Sequence, residues 1–274
     1  AMSTHNSLAS LLEGSDSVHF QCIDEVQRQV GRLSTNTVFG LVTSKKALLD
    51  NSVVIIGADV SHAAPGLNGP SMAAMTVLMN TSATRYAAAI ETNGHRVEMI
   101  TDEKIKKHII SLIKNGWSRQ VAQGKPPATV VYFRDGVSEG QSSQVIDQEV
   151  AAMKKVFAKI NVVPRFLVII ASKRHHVRFF PRSGGDKNAN PLPGTLVETG
   201  VTRSFENDFY LCAHTATKGT ARPVHYNILL KEPQWPQEKI HTLIYEHLIS
   251  TSVLPVTIPN ASTTRDVDML EASM

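Results

Sequence analysis

Cysteine is scarce in this sequence. Cys22 and Cys212 are the only two, and neither sits in a Cys-x-x-Cys pattern, which argues against a disulfide scaffold or a zinc ribbon. The scarcity reads as a reducing, intracellular compartment. No apolar run is long enough to span a membrane, and the first residues lack a charged, apolar, small-residue leader pattern. A phosphate-binding loop, a dinucleotide fingerprint and a Ser-His-Asp order are all missing, and Gly184-Gly185 lacks phosphate-loop spacing. Internal repeats are missing as well. What is present is a chain of 274 residues, 42% hydrophobic and 19% charged. That suffices for one large α/β domain with an unstapled core, or one domain plus a fragment. The formal net charge of +4 is a mild lean toward anionic partners.

Residues 1–50 carry no continuous pattern. From Ser52 the pattern sharpens, and Val53-Val54-Ile55-Ile56-Gly57-Ala58 is an apolar run ending at Asp59, as in a strand buried on both faces. Met72 to Met79 and Arg85 to Glu91 read as two further strands of an antiparallel meander. A helix follows, with Thr101 as cap, Asp102 and Glu103 at its positive end, a buried face of Ile105, Ile109, Leu112 and Ile113, and Gly116 as its stop. Thr129 to Arg134 is a strand that ends at Asp135. After Gly140 comes a second helix with Ile146, Val150, Met153, Phe157 and Ile160 facing inward. Arg165 to Ser172 is another buried strand, so alternating strands and helices imply parallel pairing here. Lys173 to Pro193 is a long basic loop. Short strands are expected over Thr195–Thr199, Asp208–Ala213 and Pro223–Leu230. A last helix starts at Pro236 and buries Ile240, Leu243, Ile244, His247 and Leu248. The tail from Asn260 is small and polar and is expected to fray.

Two strands thus end in an aspartate and a turn, at Asp59 and at Asp135. In an α/β sheet, ligands gather at the carboxyl ends of strands. Two aspartates held together there repel each other unless a cation sits between them. Hard oxygen ligands favour Mg²⁺ or Mn²⁺, and a pair of such ions can act on a phosphodiester. The plain alternative is that each aspartate caps a turn. His225, inside a strand, reads either as a ligand or as a core histidine with satisfied nitrogens. The run Lys173-Arg174-His175-His176-Val177-Arg178 reads either as a phosphate grip or as a solvated loop.

These strings carry a resemblance. Val54 to His62 resembles the first catalytic strand of the Argonaute PIWI domain. Val131-Tyr132-Phe133-Arg134-Asp135-Gly136-Val137-Ser138-Glu139-Gly140-Gln141 is similar to its second signature, in the wording of the eukaryotic Argonaute branch. Lys173 to Arg178 is similar to a third, and Gly194 to Leu230, with Asp208 to His214 and Arg222-Pro223-Val224-His225-Tyr226, to a fourth. The matches come in family order over roughly Ser52 to Ile258.

The resemblance implies a ribonuclease-H-like mixed sheet flanked by helices, with 51–274 as the PIWI domain and 1–50 as a partial MID domain or linker. It implies an Asp-Glu-Asp-His tetrad carried by Asp59, Glu98, Asp135 and His225. Glu98 is placed by Arg85-Tyr86 before it and His95-Arg96 beside it. Asp59, Asp135 and His225 would be the metal ligands for two Mg²⁺ ions, with Mn²⁺ as an alternative. The implied activity is small-RNA-guided cleavage of a paired target RNA, in the cytoplasm or the nucleus, with silencing-complex proteins as further partners and no membrane. Lys173, Arg174 and Arg178 would contact the guide backbone, and Arg203 and Lys218 are weaker candidates of that kind. Gln21, in Phe20-Gln21-Cys22-Ile23, and Arg32 resemble residues of the guide 5′-phosphate pocket. The chain departs from the family in lacking PAZ and N-terminal patterns and in a shortened stretch around His247 to Pro259, so a MID-PIWI fragment is expected. Two other readings stand beside the slicer: a guide-binding module that silences by recruiting partners, and a guide-independent nuclease or transposase of similar fold.

Overall fold

A computed structural model of the chain describes residues 52–252, apart from residues 65, 67, 82–84 and 217. Gln21, Arg32 and the tail from Asn260 lie outside the described residues.

The apolar run before Asp59 forms β1 (Val53–Ser61). It pairs antiparallel with β2 (Met72–Leu78), which pairs antiparallel with β3 (Tyr86–Thr92). On its other side β1 runs parallel to β4 (Thr129–Asp135), and β4 parallel to β5 (Arg165–Ser172). Then come β6 (Thr195–Val197), β7 (Asp208–Cys212) and β8 (Val224–Lys231). The sheet has eight strands in the order β3-β2-β1-β4-β5-β8-β7-β6. Both connections that join parallel strands contain helices, as parallel pairing requires. The first is α1, running Asp102–His108, then π-helical over Ile109–Trp117, then Ser118–Gln120. The second is α2, running Ser142–Gln144, Val145–Val150 and Ala151–Ala158.

Strand alternation sorts the core into two layers. Val54, Ile56, Ala58, Tyr132, Val168 and Ile170 pack with α1 and α2. Ile55, Val131, Leu167, Ile169, Phe209 and Tyr226 pack on the other face with α3 (Gln237–Ser252). Burial on both faces accounts for the continuous apolar runs of β1, β4 and β5.

Three local expectations change. Gly116 does not stop α1. It lies inside the π-helical stretch, where an added Cβ would come within 3.1 Å of the Met79 methyl; its smallness permits close packing of helix on strand. Ile160 lies beyond α2 and is 48% exposed, while Val145 and Val156 take the inward positions. Thr101 stands at the N-cap, yet its side chain makes no capping hydrogen bond.

Candidate active site

The parallel pairing sets the carboxyl ends of β1 and β4 side by side. Ala58 is in register with Arg134, and Asp59 and Asp135 follow them. Each aspartate accepts the next backbone N–H, Val60 N–H to Asp59 Oδ1 at 2.8 Å and Gly136 N–H to Asp135 Oδ1 at 2.7 Å. Burial raises the Asp59 carboxyl above its ordinary value against the Val60 N–H and Arg134, which lower it, and Glu98 adds to the rise. Burial, followed by the charge of Asp59, pushes Asp135 up to about 6. Two desolvated carboxylates that oppose each other's ionisation are a cost in a bare protein and an asset beside a cation.

Glu98 joins them from the segment between β3 and α1. Gly136, at φ +79°, is the point of convergence: a Cβ there would stand 3.2 Å from Asp59 Oδ1 and 3.9 Å from Glu98 Oε1. Glu98 is held on both oxygens. Arg134 Nη2 donates to Oε1 at 3.0 Å and to the Glu98 carbonyl at 2.7 Å. His62 Nε2 lies 2.8 Å from Oε2, and its Nδ1 lies 2.7 Å from the hydroxyl of buried Ser71. The loop is tied further by Asn93 Nδ2, which donates to the carbonyls of Val97 and Met99.

Beneath this cluster Tyr132, Arg134 and Glu149 are wholly buried. Arg134 Nε reaches Glu149 at 3.2 Å and Nη1 donates to the Asp135 carbonyl at 2.5 Å. Glu149 also accepts the Tyr132 hydroxyl at 2.7 Å and the Ile100 N–H at 2.9 Å. Buried charges persist where they are paired and fully hydrogen-bonded, and this network meets that condition.

His225 is not brought to the carboxylates. Tyr226 and Ile228 belong to the layer under α3, so alternation turns His225 to the opposite face. The same alternation puts Asp59 and Asp135, next to Ala58 and Arg134, on the α3 side. His225 Nε2 pairs instead with Asp208 Oδ2 at 2.7 Å, its ring stacks on Tyr210 at 4.4 Å, and His175 stands edge-on to both rings. Among the described residues, no three His, Cys, Asp or Glu side chains are gathered closely enough to hold a metal ion.

The basic candidates divide. Lys173 and Arg174 follow β5 and are exposed; their charges act on Asp135, in the direction opposing its rise. Arg178 Nη1 donates to the carbonyls of His175 and Val177, bracing the loop. Lys218 is exposed in the β7–β8 connection, whose Gly219 and Ala221 are clipped to Asn190 of the long basic loop. Arg203 lies in the β6–β7 connection, at the other end of β7, and pairs with Glu206 at 2.8 Å.

Arg134, Glu149, His62 and Gly136 had no role in the sequence reading. Two signals were there: a charged Arg inside an apolar strand, and a Glu at a core position, since Val145, Glu149, Ala152 and Val156 follow the helical 4-3-4 spacing of an inward stripe.

A mixed sheet with helices on both faces and acidic strand ends defines a ribonuclease-H-like domain. The family model described as Piwi domain matches residues 19–264, and the chain belongs to that family. Its relatives are Argonautes. It is 37% identical over 227 residues to Protein argonaute 12 of Oryza sativa subsp. japonica, covering 77% of this chain and 22% of that one. It is 35% identical over 209 residues to Protein argonaute of Schizosaccharomyces pombe, covering 75% and 24%. Kluyveromyces polysporus Argonaute, solved with a guide RNA, superposes with a TM-score of 0.67 at 28% identity, covering 76% of this chain and 26% of that one. Drosophila Piwi shares the fold, with a TM-score of 0.57 at 23% identity over 71% of this chain and 26% of that one. The chain thus spans about a quarter of the length of these relatives.

Proposed function

We propose that this chain is the nuclease portion of a guide-RNA-binding silencing protein, and that it cleaves the RNA paired to the guide. The observation that carries this is the convergence of Asp59, Asp135 and Glu98 at the carboxyl end of the parallel strands. Membership in a family whose solved relative holds a guide RNA supplies the substrate class.

The donor set fits Mg²⁺, or Mn²⁺ in its place. Mg²⁺ keeps several waters and needs only one or two carboxylates, and Asp59 and Asp135 offer two, both raised by burial, with the charge of Asp59 adding to the rise at Asp135. A bound divalent cation would supply Lewis acidity at a phosphodiester and a more acidic water. The chain's own residues do the rest. Asp59 and Asp135 hold the negative charge in a half-buried place. Arg134 and His62 keep Glu98 beside them, where its carboxylate can orient a water or complete the cation's shell. Lys173 and Arg174, exposed at the same edge, meet a phosphate backbone, which fixes position while base pairing reads sequence.

One observation favours a second reading, a guide-binding module that silences through partner proteins without cutting. His225 Nε2 pairs with Asp208 and not with the carboxylates at the ends of β1 and β4. The experiment is cleavage of a labelled complementary RNA by the full-length protein that carries this sequence, loaded with a 5′-phosphorylated guide, in Mg²⁺ and in EDTA. A single Mg²⁺-dependent cut at a position set by the guide supports the nuclease. Guide binding without a cut supports the module.

A further inference from the structure

Arg134 presents a difficulty for a cation site. Its guanidinium is wholly buried and touches Glu98 and the carbonyl of Asp135, so an uncancelled positive charge would stand against any ion drawn to Asp59 and Asp135. At short range in a protein interior such a charge is weakly screened. Glu149 is the group that answers it. Wholly buried on α2, it meets Arg134 Nε at 3.2 Å, and it has no contact with the open edge where substrate would lie.

Glu149 also reaches the Glu98 segment by a second route. Its Oε1 accepts the N–H of Ile100 at 2.9 Å, two residues beyond Glu98. Its Oε2 is steadied by the Tyr132 hydroxyl at 2.7 Å. One carboxylate therefore fixes the arginine that grips Glu98 and the backbone that carries Glu98. A neutral side chain of the same shape could reproduce part of the second task and none of the first.

We propose that Glu149 is a positioning residue of this site: it cancels the charge of Arg134, so that Asp59 and Asp135 keep their attraction for a divalent cation, and it pins the Glu98 segment through the Ile100 amide. The inference rests on the nuclease reading above. Groups that orient or tune metal ligands from one layer out typically change affinity or activity about 10–100-fold when altered.

The test uses the full-length protein and Mn²⁺ as probe, with affinity read by electron paramagnetic resonance. Glu149→Gln keeps the shape and removes the charge; Mn²⁺ affinity should fall about tenfold, and kcat for guided cleavage should fall while KM for target RNA stays within about twofold. Glu149→Asp keeps the charge and withdraws it by one methylene. It should hold Mn²⁺ nearly as well as the parent, while the Ile100 amide exchanges with deuterium about tenfold faster through its lost charged hydrogen bond. A folded Glu149→Gln with parental Mn²⁺ affinity, or a Glu149→Asp with parental exchange at Ile100, overturns the proposal. Should Glu149→Gln fail to fold, Arg134→Gln/Glu149→Gln removes both charges together; it should bind Mn²⁺ nearly as well as the parent, and a loss of about tenfold or more overturns the charge role. If the parent protein neither binds Mn²⁺ nor cuts, the nuclease reading fails by itself, and the exchange comparison at Ile100 still decides whether Glu149 holds the segment.

Discussion

Glu98 and Arg134 lie 36 positions apart in the chain, and their side chains meet at 3.0 Å. The contact joins a loop to a strand end, and through Glu149 it joins both to α2. Glu98 therefore owes its place to groups on three separate elements. Its position is a property of the folded core more than of its own loop.

Removing the arginine should show this. Arg134→Met would leave Glu149 wholly buried with no cationic partner, and breaking a buried pair from one side costs about 3–5 kcal/mol. Urea denaturation should register a loss of that order. Arg134→Met/Glu149→Met should recover most of it while guided cleavage stays abolished. A single variant as stable as the parent would contradict the buried pair.

Asp135 should impose a pH dependence on both stability and activity. Its carboxyl titrates at about 6 in the fold against an ordinary value of 3.8. Between those values the folded chain binds the proton and the unfolded chain does not. Stability from this group is thus fully present below about pH 4 and is lost as pH rises through about 6. Cation binding runs the other way, since the ligand must be ionised. Mn²⁺ affinity should therefore fall steeply as pH drops below about 6, and a profile flat from pH 5 to 7 would be inconsistent with the shifted carboxyl.

Asp135→Asn removes by substitution both the cost of burying the charge and its repulsion by Asp59. A shift of this size is worth at most ~3 kcal/mol, and screening at a half-exposed strand end trims it to ~1–2 kcal/mol. Without divalent metal, the variant should melt higher than the parent at pH 7 and should not cleave. Destabilisation there would mean that the carboxylate's hydrogen bond to Gly136 outweighs its burial.

Gly136→Ala tests the convergence point. The residue sits at φ +79°, and the new Cβ would come within 3.2 Å of Asp59 Oδ1. The left-handed backbone makes alanine unfavourable by about 1 kcal/mol or more, and the methyl displaces Asp59. Cleavage should drop by more than the stability loss explains, and thermal melts run beside single-turnover rates separate the two. Unchanged rates would mean that Asp59 can shift freely.

Lys173 and Arg174 should act on RNA through charge alone. Replacing either by Ala should weaken binding evenly across guide sequences and reduce the slope of log affinity against log salt by about 1. Arg203→Ala, at the far end of β7 and paired with Glu206, should leave that slope unchanged. A fall in slope for Arg203→Ala would place RNA at that end of the sheet.

Much of this architecture was legible in the sequence. The two-sided burial of β1, β4 and β5 writes itself as unbroken apolar runs, and the runs of β1 and β4 end at aspartates, so Asp59 and Asp135 stood out as candidates from local pattern. The helices between them announced parallel pairing. Local pattern failed where a residue's role depends on what crosses over it. Gly116 looks like a stop, yet it is a packing glycine, because Met79, just past the end of β2, closes on it. Tertiary structure alone could set the side of the sheet on which each histidine falls: His225 turns from the carboxylates because its β8 partner rung puts Tyr226 under α3. It alone could bring Glu98 to Gly136, since a loop has no periodicity from which its direction can be read. And it alone could reveal that Arg134 and Glu149, charged residues set in an apolar strand and an inward helix stripe, are one ion pair, because burying either charge is tolerable only once the fold has delivered the other.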